Sequence, residues 1–270
     1  MKTLVTHINP HLDDICAIWL FKKFHPEFKD AEVKFLSARG QAVTYQDKVV
    51  DSDPNIVHFG IGRGKYDEHK GDVGESAGSL VWKDIKILSK DEAETKALDK
   101  LIEWNTLIDT GKAPGSEYSE FSVQSFIRSL KNSEEASLES LQLGFEILDR
   151  ILEVLKRRQK SIKDWEKRVE FQTKFGTTVA VISQTVDRAF CKSKQGELFL
   201  MYNPKHKSVQ FYSDSKDLEP LFKVLKEKDP QADWFLHQSH HMVICGSGSA
   251  PDSIKSKLSF EQLMEVAKSM

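Results

Sequence analysis

The feature that most constrains this chain is a short polar loop between two apolar segments near the N-terminus. The apolar pair Leu4-Val5 precedes the loop, and the apolar run Ile15–Phe21 follows it. This order predicts a buried strand, a tight loop and a largely buried helix. Because Pro10 disfavours helical geometry in the residue before it, the helix is expected to begin near Leu12 or Asp13.

The loop itself is dense in side chains that bind metals, namely His7, His11, Asp13 and Asp14. Open α/β sheets place their ligands at the carboxyl ends of strands, where this loop is predicted to lie. Two imidazoles and two carboxylates suit a borderline cation such as Zn²⁺ or Mn²⁺. The alternative is that the aspartates only cap the helix. Capping explains one aspartate and not the whole cluster, so the loop predicts a metal site.

Composition is that of a soluble globular protein, with 270 residues, 39% hydrophobic and 30% charged. This length predicts two domains. A formal net charge of −2 neither supports nor excludes a nucleic-acid partner. Cys16, Cys191 and Cys245 are far apart and form no C-x-x-C pair, which favours a reducing compartment. No apolar run has membrane-spanning length, so a cytoplasmic protein without membrane contact is expected.

The first half of the chain alternates predicted strands and helices. Strand patterns occupy 32–37 and 55–59, a helix is predicted to start at Ser76, and a capping box at Ser89 opens another that runs to Leu107. This alternation predicts an α/β domain with a parallel sheet over residues 1–132.

Beyond residue 132 the pattern changes twice. Apolar residues recur at helical spacing from Leu138 to Leu155, and the segment from about Ser133 to about Glu170 is predicted to form a long connecting helix over 133–172, either continuous or broken once. Short runs of branched and aromatic residues follow, and a capping box at Ser259 opens a final helix. Residues 173–270 are therefore predicted to form a smaller α+β domain.

Taken in order, four motifs resemble the DHH phosphoesterase superfamily and, within it, the Myg (melanocyte proliferating gene) exonuclease family. The motifs are His7-x-x-x-His11-x-Asp13-Asp14, the segment 60–69 with its Tyr-Asp-Glu-His, the segment 76–81, and Ile108-Asp109-Thr110-Gly111. The segment 235–267 resembles that family's closing segment. The resemblance implies a DHH domain, a connecting helix and a smaller substrate domain, with the active site in a cleft. It also implies a divalent metal pair, usually manganese, with zinc or magnesium as alternatives.

The resemblance also implies roles for individual residues. The matching metal ligands are His7, His11, Asp13, His58, Glu68 and Asp109, and the matching catalytic residues are His69, Asp13 and Asp14. His69 would contact the phosphate or protonate the leaving oxygen. Substrate contacts are expected from Arg63, Lys65, Lys70, His237 and Ser239. The alternative for the three cations is an ordinary surface charge, and the alternative for His237 is a core histidine hydrogen-bonded to the backbone.

Two positions depart from the family pattern. His58 stands where a bridging aspartate is usual, and Glu68 stands where a histidine is usual. A neutral imidazole cannot offset the repulsion between two cations as a carboxylate does. A rearranged metal pair, a single metal on His7, His11 and His58, and a degenerate site therefore all stay open, with Asp51 or Asp53 as weak replacements for the bridge.

The function predicted from these motifs is metal-dependent phosphoester hydrolysis, of the 3'-5' exonuclease type, on RNA or short oligonucleotides. A homodimer is one option for its assembly. The strongest rival is the LmbE-like zinc deacetylase family, because Pro10-His11-Leu12-Asp13-Asp14 resembles its Pro-His-x-Asp-Asp motif. That rival needs a third histidine, for which His237 or His240 are candidates. A nucleotide- or RNA-binding protein with a decayed metal centre is the non-enzymatic alternative.

Overall fold

The computed structural model describes residues 1–37, 45–71, 74–115 and 117–270. The chain divides into two compact units, Met1–Lys156 and Arg157–Met270. Within the described residues, no helix combines the length and the apolar character needed to cross a membrane.

A parallel three-stranded sheet lies at the centre of the N-terminal unit. Its strands are β1 (Thr3–His7), β2 (Glu32–Leu36) and β3 (Ile56–His58), in the order β2-β1-β3. Val5 is paired with Lys34 on one side and with His58 on the other. Parallel strands need crossover connections, and the helix after β1 supplies the first of them. The predicted parallel-sheet domain is therefore confirmed.

Five helices accompany this sheet: α1 (Leu12–Phe24), α2 (Ala77–Ile85), α3 (Glu92–Asp109), α4 (Val123–Ile127) and the beginning of α5 (Glu134–Trp165). α1 begins where the sequence predicts, and every residue from Asp13 to Phe21 is buried. A helix that is apolar on all sides belongs inside a core, and α1 packs against α2 and α3.

The start of α3 differs from the prediction. Asp91, not Ser89, is the N-cap, and its carboxylate accepts hydrogen bonds from the backbone N–H groups of Ala93 and Glu94. The helix therefore begins two residues later than a Ser89 cap would place it. Ser89 instead accepts a hydrogen bond from the hydroxyl of Thr95.

The predicted long helix is α5, which is unbroken over 32 residues. Its buried leucines, Leu141, Leu148 and Leu152, join the core of the N-terminal unit. At Gly144 an added Cβ would lie 2.6 Å from Ile15 Cγ2, so glycine permits the close approach of α5 to α1. The helix ends at Trp165 rather than near residue 170, because the next segment alternates polar and apolar residues and pairs as a strand.

The C-terminal unit contains a six-stranded mixed sheet in the order β4-β5-β6-β7-β9-β8. The strands are β4 (Val169–Thr173), β5 (Gly176–Ile182), β6 (Leu198–Asn203), β7 (Ser208–Tyr212), β8 (Trp234–Leu236) and β9 (Met242–Cys245). Only β5 and β6 pair in parallel. The helices are α6 (Arg188–Cys191), α7 (Glu219–Lys228) and α8 (Phe260–Lys268), and Ser259 caps α8 as predicted. The smaller α+β unit is thus confirmed.

Candidate metal centre

The loop between β1 and α1 brings His7, His11 and Asp14 together. His7 ends β1, and His11 is the N-cap of α1. The Asp14 carboxylate accepts a hydrogen bond from the His11 backbone N–H at 2.9 Å. One donor atom from each of the three side chains lies within 4.8 Å of the others. The end of β1 and the beginning of α1 therefore supply both the helix cap and a set of three metal donors.

The tautomer of His7 is fixed by its neighbours. Its Nδ1 lies 2.9 Å from the carbonyl oxygen of Ile8, which can only accept, so Nδ1 carries a proton. Its Nε2 lies 2.9 Å from Asp14 Oδ2. Burial opposes protonation of the ring, but the hydrogen bond and charge of Asp14 raise the pKa of His7 to about 9. When no cation is bound, Nε2 donates a proton to Asp14. To bind a cation, Nε2 would have to lose that proton, and its lone pair would then be available to the metal.

The Asp14 carboxylate lies close to the backbone of Gly60, two residues after the end of β3. Asp14 is 2% exposed. Gly60 has a φ of +62°, and an added Cβ would lie 1.7 Å from Asp14 Oδ1. Only a residue without a side chain fits here, for both backbone and steric reasons. The glycine-rich segment thus makes room for the Asp14 carboxylate.

The Asp67-Glu68-His69 segment forms a tight turn organised by Asp67. Its buried carboxylate accepts hydrogen bonds from the backbone N–H of Arg63 at 2.6 Å and of His69 at 3.0 Å. It also accepts from His69 Nδ1 at 2.9 Å. The imidazole of His69 is therefore oriented by a carboxylate, while its side chain is 70% exposed.

Three carboxyl groups from separate segments meet beside this turn. Donor oxygens of Asp13, Glu68 and Asp109 lie within 4.8 Å of one another. Asp109 is the last residue of α3, and Asp13 is 3% exposed in the first turn of α1. The Glu68 Oε2 atom is buried and has no hydrogen-bond partner among the described residues. Such a cluster is repulsive unless protons or a cation neutralise it.

The pKa values of these three carboxyl groups are raised by burial and by the charges of neighbouring carboxylates. Burial raises the pKa of Glu68 to about 7, with further raising contributions from the charges of Asp14 and Asp109. Burial and then the charge of Asp14 raise the pKa of Asp13 and of Asp109 as well. Neighbouring carboxyl groups with raised pKa values are typical of functional sites. The donor set fits a divalent cation, since carboxylates suit Mg²⁺ or Mn²⁺ and the two imidazoles beside them suit Mn²⁺ or Zn²⁺.

His58 is not brought into any of these groups. It is 3% exposed in β3 beside Val5, and neither ring nitrogen has a partner among the described residues. Burial lowers its pKa, which keeps the ring neutral. No cluster of three donors among the described residues includes it. The role of Asp51 as a replacement is not supported either, because its carboxylate accepts from the backbone N–H of Lys65 at 2.6 Å.

Two of the predicted phosphate-binding cations have local partners. Lys65 Nζ lies 2.5 Å from Asp84 Oδ2. Lys70 Nζ donates to the carbonyl oxygens of Gly64 and Lys65 at 3.2 and 3.0 Å. Both lysines therefore stabilise the 64–70 segment. The backbone of Arg63 has a φ of +55°, which the hydrogen bond from its N–H to Asp67 helps to hold.

The predicted substrate residues of the C-terminal unit form a turn of their own. His237 Nδ1 lies 2.9 Å from Ser239 Oγ and accepts from the Ser239 backbone N–H at 3.1 Å. A further donor cluster, which belongs to this unit, consists of Asp217, Glu219 and His240, all of them partly or fully exposed.

Sequence reasoning missed a buried amide beside the acidic cluster. Asn105 is 3% exposed, lies one helical turn before Asp109 in α3, and has no partner for either amide atom among the described residues. It lines a cavity of about 250 Å³ that Asp13 and Asp109 also line. The i, i+4 spacing from Asp109 is the one signal in the sequence that could have indicated it.

Comparisons with known proteins give only distant similarity. No protein-family profile and no curated protein matches the chain. Among solved structures, an uncharacterized protein from Helicobacter pylori is similar with 12% identity and a TM-score of 0.27, covering 100% of this chain and 98% of that one. The DHH domain of a protein described as a member of a ribosomal-protein family has 13% identity and a TM-score of 0.31, covering 98% and 85%.

RecJ from Thermus thermophilus, solved with Mg²⁺, has 10% identity and a TM-score of 0.35, covering 99% of this chain and 49% of that one. With TM-scores this low, the chemistry of the site depends on the residues of this chain alone.

Proposed function

We propose that this protein is a metal-dependent phosphoesterase that hydrolyses RNA or short oligonucleotides, as a 3'-5' exonuclease-type enzyme. The observation that supports this proposal is the convergence of Asp13, Glu68 and Asp109 beside His7, His11 and Asp14. Four of these side chains come from the segment 7–14, Glu68 and Asp109 come from distant parts of the sequence, and together they offer two adjoining sets of three donors.

The two donor sets would hold a pair of divalent cations, with manganese expected and zinc or magnesium as alternatives. Such ions supply a nucleophilic water at neutral pH and offset the negative charge of a phosphodiester. Glu68, placed between the Asp13–Asp109 carboxylates and His69, is the candidate for the shared carboxylate that the family pattern puts at position 58. His58 is not needed as a ligand in this arrangement.

His69 is proposed as the proton donor to the leaving oxygen. Its Nδ1 donates to Asp67, so the ring is oriented and its Nε2 can carry the transferred proton. Burial works against the protonated form, but the Asp67 hydrogen bond and the charge of Glu68 raise the pKa of His69 overall. A carboxylate that orients a histidine in this way stabilises the imidazolium form.

A zinc-dependent deacetylase is the second candidate, favoured by the His7–His11–Asp14 set. Two histidines and one carboxylate form a common ligand set for catalytic zinc. That reaction leaves the Asp13–Glu68–Asp109 set without an explanation, because a mononuclear zinc site does not need three further carboxylates.

The test is hydrolysis of a labelled short oligoribonucleotide with Mn²⁺, Mg²⁺ or Zn²⁺, alongside acetate release from an N-acetyl sugar. Asp13→Asn and Asp109→Asn should each lower phosphodiester hydrolysis by at least about 100-fold, the upper end of what changes around metal ligands cause. Asp252→Asn, at an exposed carboxylate of the C-terminal unit, is the matched control and should keep activity. Full activity in both cluster variants would contradict the proposal. Acetate release would favour the deacetylase, and RNA binding without turnover would favour a binding protein.

A further inference from the structure

The cavity beside the acidic cluster has the walls of a small binding pocket. It is lined by the polar or charged side chains of Asn105, Gln124 and Arg128 and by the apolar side chains of Leu12, Ile108 and Ile127. His11, Asp13 and Asp109 belong to both this cavity and the donor clusters. A group in the cavity would therefore be adjacent to a phosphate held at those clusters.

Asn105 is the buried polar group of this cavity that lacks partners. Both its amide nitrogen and its carbonyl oxygen are buried without a hydrogen bond among the described residues. The amide is accommodated by Gly78 of α2, where an added Cβ would lie 3.0 Å from Asn105 Nδ2. A buried amide left unpaired is costly, so its presence points to a ligand that pairs with it.

The chemistry of the cavity limits what that ligand can be. A carboxamide offers a donor and an acceptor side by side, which matches the edge of a nucleobase and not a phosphate, which only accepts. The apolar walls, which include Leu12 and Ile108, suit the faces of a flat ring. A volume of about 250 Å³ is below the roughly 300 Å³ of pockets for drug-sized ligands, so it suits one base and not an oligonucleotide.

Arg128 supplies the charge that a nucleotide requires. It lines the same cavity at the end of α4, is exposed, and forms no ion pair within the part of the chain that the structure describes. A guanidinium at that place can bind a phosphate oxygen in a bidentate manner.

We infer that this cavity receives the base of the nucleotide whose phosphate is cleaved, with Asn105 as the specificity-determining residue and Arg128 as a phosphate contact. The inference rests on the proposed function, because the base belongs to the cleaved nucleotide. It adds to that function a base-binding position beside the donor clusters and the residue that selects the base.

The experiment is equilibrium binding by calorimetry to the full chain with Mg²⁺. The probes are the four 5'-nucleoside monophosphates and ribose 5-phosphate, which lacks a base. At least one nucleotide should bind tenfold or more tightly than ribose 5-phosphate, and Asn105→Leu should remove that difference. Gln142→Leu, at an exposed carboxamide of α5, is the matched control and should keep it. Arg128→Ala should weaken binding of all five probes by a similar factor.

Folding of the variant is checked by its melting temperature, which should equal or exceed that of the parent because Asn105→Leu removes an unpaired amide. If Asn105→Leu does not fold, Asn105→Ala carries the same test. Equal binding of nucleotides and ribose 5-phosphate by the parent protein would overturn the inference, and so would an unchanged difference in the folded variant. Base-dependent binding without hydrolysis would refute the proposed function and the role of the nucleotide as a cleaved substrate, but it would keep the assignment of the cavity as a base-binding site with Asn105 as its specificity-determining residue.

Discussion

Replacing Gly60 by alanine tests whether the position of Asp14 is fixed by the absence of a side chain opposite it. At a φ of +62° an alanine costs about 1–2 kcal/mol in backbone strain alone. The new Cβ would also overlap Asp14 Oδ1, which lies 1.7 Å from the ideal position. The carboxylate must then leave its contacts with His7 and with the His11 backbone N–H.

The size of the effect follows from those contacts. Hydrogen bonds to charged groups contribute about 1.5–3 kcal/mol each. If at least one of the two is lost, Gly60→Ala destabilises the metal-free protein by about 3–5 kcal/mol in total. Gly111→Ala is the matched control, because its φ is +67° and nothing lies within 4 Å of its added Cβ. Gly111→Ala should lower the free energy of unfolding only by the backbone strain of about 1–2 kcal/mol.

Urea denaturation of both variants with a chelator present measures these differences. Calorimetric titration with Mn²⁺ or Zn²⁺ measures the second consequence, a loss of at least about tenfold in metal affinity for Gly60→Ala. Equal destabilisation of the two variants, to within about 0.5 kcal/mol, together with unchanged metal binding would refute the reasoning, since Asp14 would then not depend on Gly60.

Three further predictions concern the carboxylates and a cap. Because the folded-state pKa of Glu68 is raised from 4.5 to about 7, the metal-free protein should lose about 1–3 kcal/mol of stability as the pH rises through that window, and Glu68→Gln should flatten the loss in urea titrations at pH 5 and 8. Asp67→Asn places an amide N–H₂ against a donor of either Arg63 or His69, so it should cost about 1–3 kcal/mol and alter the pH–rate profile that His69 governs. Ser259→Ala removes an N-cap and should cost about 1 kcal/mol by thermal denaturation, with hydrolysis unchanged.

The local elements followed from the sequence because their causes are local. The apolar run after Asp14 predicted a buried helix, and the leucine spacing predicted α5. Ser259 predicted a capping box, and the box is present. The end of α5 was predicted too late, because residues 169–173 pair as the strand β4, and that pairing depends on the neighbouring strand β5.

Only part of the site could be predicted from local sequence patterns. His7, His11 and Asp14 lie within one loop, so their proximity is a property of short sequence separation. That Glu68 and Asp109 join Asp13 was expected from the family resemblance alone, because it depends on where α3 ends relative to α1, which no local pattern states.

What the sequence by itself determined was therefore the set of elements and the chemical character of the ligand loop. What only the tertiary structure decided was which distant side chains share one pocket. Strand register pairs His58 with Val5 and leaves its ring away from the donor clusters, since each residue of a strand faces opposite to the next. Packing of α2 on α3 likewise buried the Asn105 amide against Gly78. Strand register and helix packing depend on how whole strands and helices fit together, so local sequence patterns do not determine them.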